Sequence, residues 1–194
     1  MTSAIIKGGL LGGLIAFVWS AISWMVLPWH TSSMHNFTNE DAVIQVLQEN
    51  APEPGVYSIP GVQNTGKTPE EKKACEEGMM KRMETGPFLY TSYRTEGMSA
   101  MWTPYLFQFI AQIVAGMFIT WLVLKLAGHT YMGRVMAVAM IVLIGGLLYE
   151  LPMSFFWHFP AGHTIVNIVD LLVGWFLAGL VIAKFTAPRV PARV

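Results

Sequence analysis

Apolar residues run almost unbroken through four stretches of the chain: about Ala4 to Pro28, Trp102 to Leu126, Met132 to Leu151 and His163 to Ala183. Each comes close to the ~20 apolar residues a helix needs to cross a hydrocarbon core. The first is longer than the roughly 7–15 apolar residues of a cleaved leader, and only Lys7 precedes it, so it reads as a retained anchor. The pattern predicts an all-α polytopic membrane protein, a four-helix bundle with a small α/β cap inserted between helices 1 and 2. Its parts are residues 1–28 (first helix), 29–100 (cap) and 101–194 (helices 2–4 and a tail).

Polar positions organise the insert. Thr38, Glu40 and Asp41 open a helix with Ala42, Val43, Val46 and Leu47 on one side, and Pro52 and Pro54 close it. Gly55–Ile59 reads as a strand. Thr68-Pro69-Glu70-Glu71 has the form of a capping box with proline at the first helical position, so a second helix runs to about Glu84. Gly86-Pro87 stops it, and residues 88–93 read as a second strand. Such a cap buries too little to be firm alone. Residues 61–68 also spell the phosphate-loop pattern GxxxxGK[ST]. That motif needs a parallel sheet behind it and an acidic residue for magnesium, and the insert has room for two strands. A turn feeding a capped helix accounts for the same letters, and no nucleotide is expected.

Charge sets the orientation. Lys7, Lys125, Arg134, Lys184, Arg189 and Arg193 flank the spans on one side with no acid among them. Basic residues near span ends stay in the cytoplasm, while long segments translocate largely regardless of charge. Both termini are therefore expected in the cytoplasm, and residues 29–100 in the periplasm of a bacterial inner membrane. The insert holds six basic and ten acidic residues, a net charge of −4. Asn36-Phe37-Thr38 matches a glycosylation sequon, but it lies too near the first span for ready modification.

Composition narrows the classes further. The chain is 54% hydrophobic and 12% charged, against roughly 25% charged in soluble domains. Equal numbers of acids and bases argue against a nucleic-acid partner. A single cysteine, Cys75, excludes a disulfide framework. Cys75, Met79 and Met83 share a helix face, and Met34 adjoins His35; soft sulfur ligands suit Cu(I), but core packing is the favoured explanation of the stripe.

Within the spans, Gly8, Gly12, Ala16 and Ser20 recur every four residues beside Gly9 and Gly13, and Gln108, Gln112, Gly116 and Thr120 form a second series. Gly145-Gly146 sits mid-way along the third span. Small residues at this spacing let helices approach closely in lipid. Trp24, Trp29, Trp102 and Trp157 fall near the outer boundary, as an aromatic belt does.

Two acids, Glu150 and Asp170, lie in the spans with no basic partner at their depth. Such residues face a bundle interior or a wet cavity. His163, Asn167 and Asp170 share one face of the fourth helix, with Asp170 about 10 Å below His163. Ser20, Ser23, Gln108, Gln112 and Tyr149 fall in the same outer half, as do His30, His35, His158 and His163; His129 is on the other side. Glu150, at the outer end of the third span, would join them. One reading is a network of protonated acids with Gln, Asn, Ser and Tyr partners that fixes helix register. A second is a divalent metal site for zinc, copper or iron using His163, His158, His30, His35, Asp170 and Glu150. A third is a proton or organic-ligand site at Asp170, Glu150, Asn167, Gln108, Gln112 and Tyr149.

No nucleophile–base pair and no cofactor motif stand out, so the leading expectation is a non-enzymatic accessory protein. It would dock to other membrane subunits or to itself through its helix seams and acidic cap. A metal-binding protein or enzyme at the polar cluster, and a proton-coupled carrier acting as a dimer, are the alternatives.

Overall fold

The computed structural model describes residues 2–63, 65–98, 100, 102–126 and 130–187; Arg189 and Arg193, used above for orientation, and His129 lie outside the described residues. Among the described residues, six α-helices and two strands follow in the order α1 (Thr2–Met25), α2 (Glu40–Asn50), β1 (Gly55–Ile59), α3 (Pro69–Thr85), β2 (Leu89–Tyr93), α4 (Trp102–Leu126), α5 (Tyr131–Trp157) and α6 (Ala161–Phe185). Four of them, α1, α4, α5 and α6, are long and apolar enough to cross a membrane. The chain divides into two compact units, residues 36–98 and the remainder.

In the helical unit, α1 packs against both α4 and α6, α6 packs against α5, and α4 and α5 scarcely touch. Glycine makes the α1–α4 crossing. A Cβ on Gly13 would lie 2.6 Å from the Gln112 carbonyl oxygen and from Ile113 Cα, and one on Gly116 would lie 2.7 Å from the Gly9 carbonyl oxygen. Here backbone rests on backbone. Gly8 faces Thr120 and Gly12 faces Ile182 of α6, so the small-residue series predicted from the sequence forms two seams on α1. Ala16, Ile119, Val123, Val138, Trp175, Ala178 and Ile182 fill the core between them. Leu10, Leu14, Val18, Phe118, Ile144, Leu148 and Phe155 stay exposed, and a lipid environment accommodates such apolar outer faces.

Two expectations are corrected. The third span does not end before Pro152: α5 continues to Trp157 with Pro152 inside it. A proline inside a spanning helix is tolerated where neighbouring groups satisfy the freed backbone. The helix ends instead at His158, whose left-handed backbone (φ 55°) sends its N–H and that of Phe159 to the Met153 carbonyl. Glu150 therefore lies roughly 10 Å below the end of its helix, not at the end. Arg134, one of the charges flanking the spans, is only 5% exposed; its Nε donates to the Ala183 carbonyl at 3.1 Å. Tyr131 Oη donates to the Leu180 carbonyl at 2.6 Å. Together they occupy carbonyls in the last turns of α6, the end where a cation is favoured by the helix dipole.

The second unit holds α2, α3 and an antiparallel β1–β2 ribbon with Gly55 opposite Tyr93 and Ile59 opposite Leu89. Asn39, one residue after the expected start signal at Thr38, caps α2 by accepting from the Ala42 N–H. Neither α2 nor α3 contains a fully buried residue. On the predicted apolar side of α2, Val43 and Leu47 are half-buried and Val46 is exposed. Cys75 and Met79 line a shallow pocket with Pro60 and Arg82.

The capping box at the start of α3 is complete: Thr68 Oγ accepts from the Glu71 N–H, and Glu71 Oε2 accepts from the N–H groups of Lys67 and Thr68 at 2.7 and 3.1 Å. The amides at the end of the phosphate-loop pattern are thus already filled by a carboxylate, and the sheet beside them is a two-stranded antiparallel one. Those amides, Lys67 first and Thr68 second, hold the Glu71 carboxyl below its ordinary value. Because the folded value is the lower one, this contribution is present at neutral pH and is lost as pH falls through it. Protection of the first-turn amides of α3, measured against their intrinsic exchange rates at the same pH, should fall below about pH 4.5, the ordinary glutamate range. In Thr68→Ala that turn should exchange faster at every pH, for a loss of ~1 kcal/mol. Unchanged protection in the variant would show that the box does not hold the helix.

Candidate functional site

Two hydrogen-bonded clusters form where α1 ends and α6 begins. The first is built on His30, just beyond α1 and 1% exposed. Its Nε2 lies 3.0 Å from Ser23 Oγ and 3.3 Å from Asp170 Oδ2. Asp170, 9% exposed on α6, accepts from Trp19 Nε1 through Oδ1 at 2.7 Å. Trp29 Nε1 donates to Ser23 Oγ at 2.9 Å. Trp24 stacks on the imidazole at 3.9 Å between ring centres, and Trp29 meets it edge-on.

The hydrogen-bond inventory assigns the tautomer. His30 Nδ1 is buried with no partner. A bare ring nitrogen there costs less than an orphaned N–H, because buried donors are the groups most rarely left unpaired. Nε2 therefore carries the hydrogen, with Ser23 Oγ its hydrogen-bond partner at 3.0 Å and the Asp170 carboxyl beside it at 3.3 Å. Serine, histidine and aspartate together suggest a nucleophilic triad, but the geometry opposes one. A triad needs the serine and the acid on opposite ring nitrogens. Here both meet Nε2, Ser23 is fully buried, and its oxygen already accepts from Trp29. The cluster is a clamp tying the segment after α1 to α6.

The second cluster runs along the first turns of α6. Asn167 Nδ2 donates to Glu150 Oε2 at 3.2 Å and approaches His163 Nε2 at 3.1 Å. With Nε2 accepting, His163 Nδ1 donates to Ser33 Oγ at 3.2 Å, and Ser33 donates on to the His30 carbonyl at 3.4 Å. That carbonyl links the two clusters. Every step has a donor facing an acceptor.

Glu150, Asn167, Asp170, Gln108 and Gln112 line one cleft of about 250 Å³, which Ser20, Trp19, Trp24 and Trp175 share. All four long helices contribute to it. Both acids sit at comparable depth, roughly 10 Å from the end of α5 and roughly 13 Å from the start of α6. Other candidates fall elsewhere. Tyr149 is 64% exposed, because one residue before Glu150 means about 100° of rotation around α5. His35 and His158 are exposed. Among the described residues no three of His, Cys, Asp and Glu converge on a metal-sized space, since His30–Asp170 and Glu150–Asn167–His163 form separate sets.

Trp19 and Ser33 are absent from the candidates picked out by the sequence. Trp19 had a signal: it precedes Ser23 by four residues and so shares its helix face. Trp29, read as a belt residue, spends its indole N–H on Ser23. Comparison with known proteins finds no matching family model, no matching curated protein and no matching solved structure.

Proposed function

We propose that the chain is a small integral membrane accessory protein that docks to a larger membrane complex or to another copy of itself. It would sit in a bacterial inner membrane with both termini cytoplasmic and residues 29–100 periplasmic. One observation carries the docking: the unit of residues 36–98 keeps Ile44, Val46, Val56, Ile59, Val62 and Met80 exposed. A water-facing unit with this many uncovered apolar side chains has the makings of an interface. The acidic balance of the insert would select among partners. Clustering of Lys7, Lys125, Arg134 and Lys184 at one end of the four helices supports the orientation.

Crosslinking in native membranes, followed by purification in dodecyl maltoside and mass determination, tests the proposal. The chain should emerge at fixed stoichiometry with another membrane protein or with itself. Val56→Glu combined with Ile59→Glu should abolish that association while leaving membrane insertion intact. A chain that is monomeric and unaccompanied before and after the change would refute the docking role.

A second reading, a proton-coupled carrier acting as a dimer, is favoured by Glu150 and Asp170 facing one cleft. It predicts pH-dependent solute uptake in proteoliposomes, and uptake indifferent to pH would sink it.

A further inference from the structure

We propose that the cleft beside Glu150 binds a small organic ammonium group, with the Glu150 carboxylate as its counter-charge and indole rings as its apolar wall. Glu150 Oε2 accepts from Asn167, and its other oxygen has no protein partner among the described residues. Asp170 differs, since its Oδ1 accepts from Trp19 and its Oδ2 lies 3.3 Å from His30 Nε2. The cleft thus offers one committed acid and one available acid. Among the described residues no lysine or arginine lines it: those of the long helices, Lys7, Lys125, Arg134 and Lys184, lie at the opposite end. An anion therefore finds no counter-charge there, and a cation does.

The walls favour an organic cation over a bare ion. Trp19, Trp24 and Trp175 line the same space, and tryptophan is the aromatic residue that attracts ammonium groups best. Gln108 and Gln112 add amide oxygens able to accept from N–H or O–H groups. A divalent metal lacks a third acidic, histidine or cysteine ligand among the described residues. At about 250 Å³ the cleft is below the ~300–1,000 Å³ of drug-sized pockets, which suits a group of a few heavy atoms. Such a group could be a free amine or the headgroup of an aminophospholipid, because both present the same ammonium.

Choline and its uncharged carbon analogue 3,3-dimethylbutan-1-ol separate charge recognition from shape. With the full chain in dodecyl maltoside, choline should quench tryptophan fluorescence saturably and bind at least about tenfold tighter than the alcohol. Glu150→Gln keeps an acceptor for Asn167 but removes the charge, and should erase the choline preference. Trp24→Leu should weaken choline binding several-fold; unfolding curves superimposable on the parent's establish that both variants are folded. Nanodiscs distinguish the source. If phosphatidylethanolamine discs block choline binding and phosphatidylglycerol discs do not, the occupant is a headgroup; equal binding in both identifies a free amine. Absence of saturable binding, equal affinity for choline and the alcohol, or an unaltered preference in Glu150→Gln would each overturn the proposal.

Discussion

Gly13→Ala is expected to destabilise the helical unit by about 3 kcal/mol, whereas Gly145→Ala is expected to stabilise it slightly. Adding one methyl group has opposite consequences at the two sites. On helix propensity alone, either change gains up to about 1 kcal/mol. At Gly13 the new Cβ would sit 2.6 Å from the backbone of Gln112 and Ile113, and no side chain can rotate away to make room. α1 and α4 would have to part, giving up the packing that holds helices together in lipid. Overpacking commonly costs 1–3 kcal/mol, and a backbone-on-backbone clash falls at the upper end. At Gly145 nothing lies within 4 Å of the added carbon. Unfolding in mixed micelles with increasing dodecyl sulfate would compare the two. Equal tolerance at both sites would mean that the α1–α4 crossing is looser than its geometry. Because Gly116 rests on Gly9 and Gly13 in the same crossing, Gly116→Ala combined with Gly13→Ala should cost less than the two changes summed.

That seam was readable in the sequence because helical packing repeats. A four-residue series of Gly, Ala and Ser has one physical use along a spanning helix, and both Gly8/Gly12 and Gly116/Thr120 belong to seams. The bounds of α4 follow from the apolar run for the same reason. The capping box at Thr68–Glu71 was legible because its chemistry is local, closed within four residues. Pro152 misled. A proline ends a helix by withholding one hydrogen bond, but α5 runs on for five residues past it, and only the left-handed turn at His158 stops it.

The site was legible along one helix and obscure between helices. Periodicity put His163, Asn167 and Asp170 on one face; Asn167 bonds Glu150 and His163, while Asp170 meets Trp19 and His30 in the other cluster. Across helices, depth could be estimated but rotation could not. Tyr149 and Glu150 share a depth, yet one is exposed and the other lines the cleft. Indole posed a separate difficulty. At a membrane boundary the same residue serves an interface belt or a buried hydrogen bond, and only the position of Ser23 shows that Trp29 takes the second role.

Asp170→Ala should cost about 3 kcal/mol, and Asp170→Asn markedly less. The alanine change removes the carboxylate 3.3 Å from His30 Nε2, which keeps Ser23 Oγ at 3.0 Å, and deprives Trp19 of its 2.7 Å acceptor, leaving it the 3.1 Å contact to the backbone carbonyl of residue 170. A buried group stripped of its partner costs roughly 1–3 kcal/mol, and more where charge is involved. Asparagine restores an oxygen for Trp19. It can also satisfy His30 if the imidazole moves its hydrogen to Nδ1, so that the new amide donates to Nε2; the orphan donor that results limits the rescue. Coupling should appear in a double-mutant cycle: with His30→Ala already present, Asp170→Ala should cost about 1–3 kcal/mol less than in the parent. Micelle unfolding supplies the four free energies. Additive costs would mean that the acid and the imidazole do not clamp the segment after α1 to α6. Near-parent stability in Asp170→Ala would instead mark the residue as one kept for a ligand, since a carboxyl whose removal leaves the fold untouched is not holding it together.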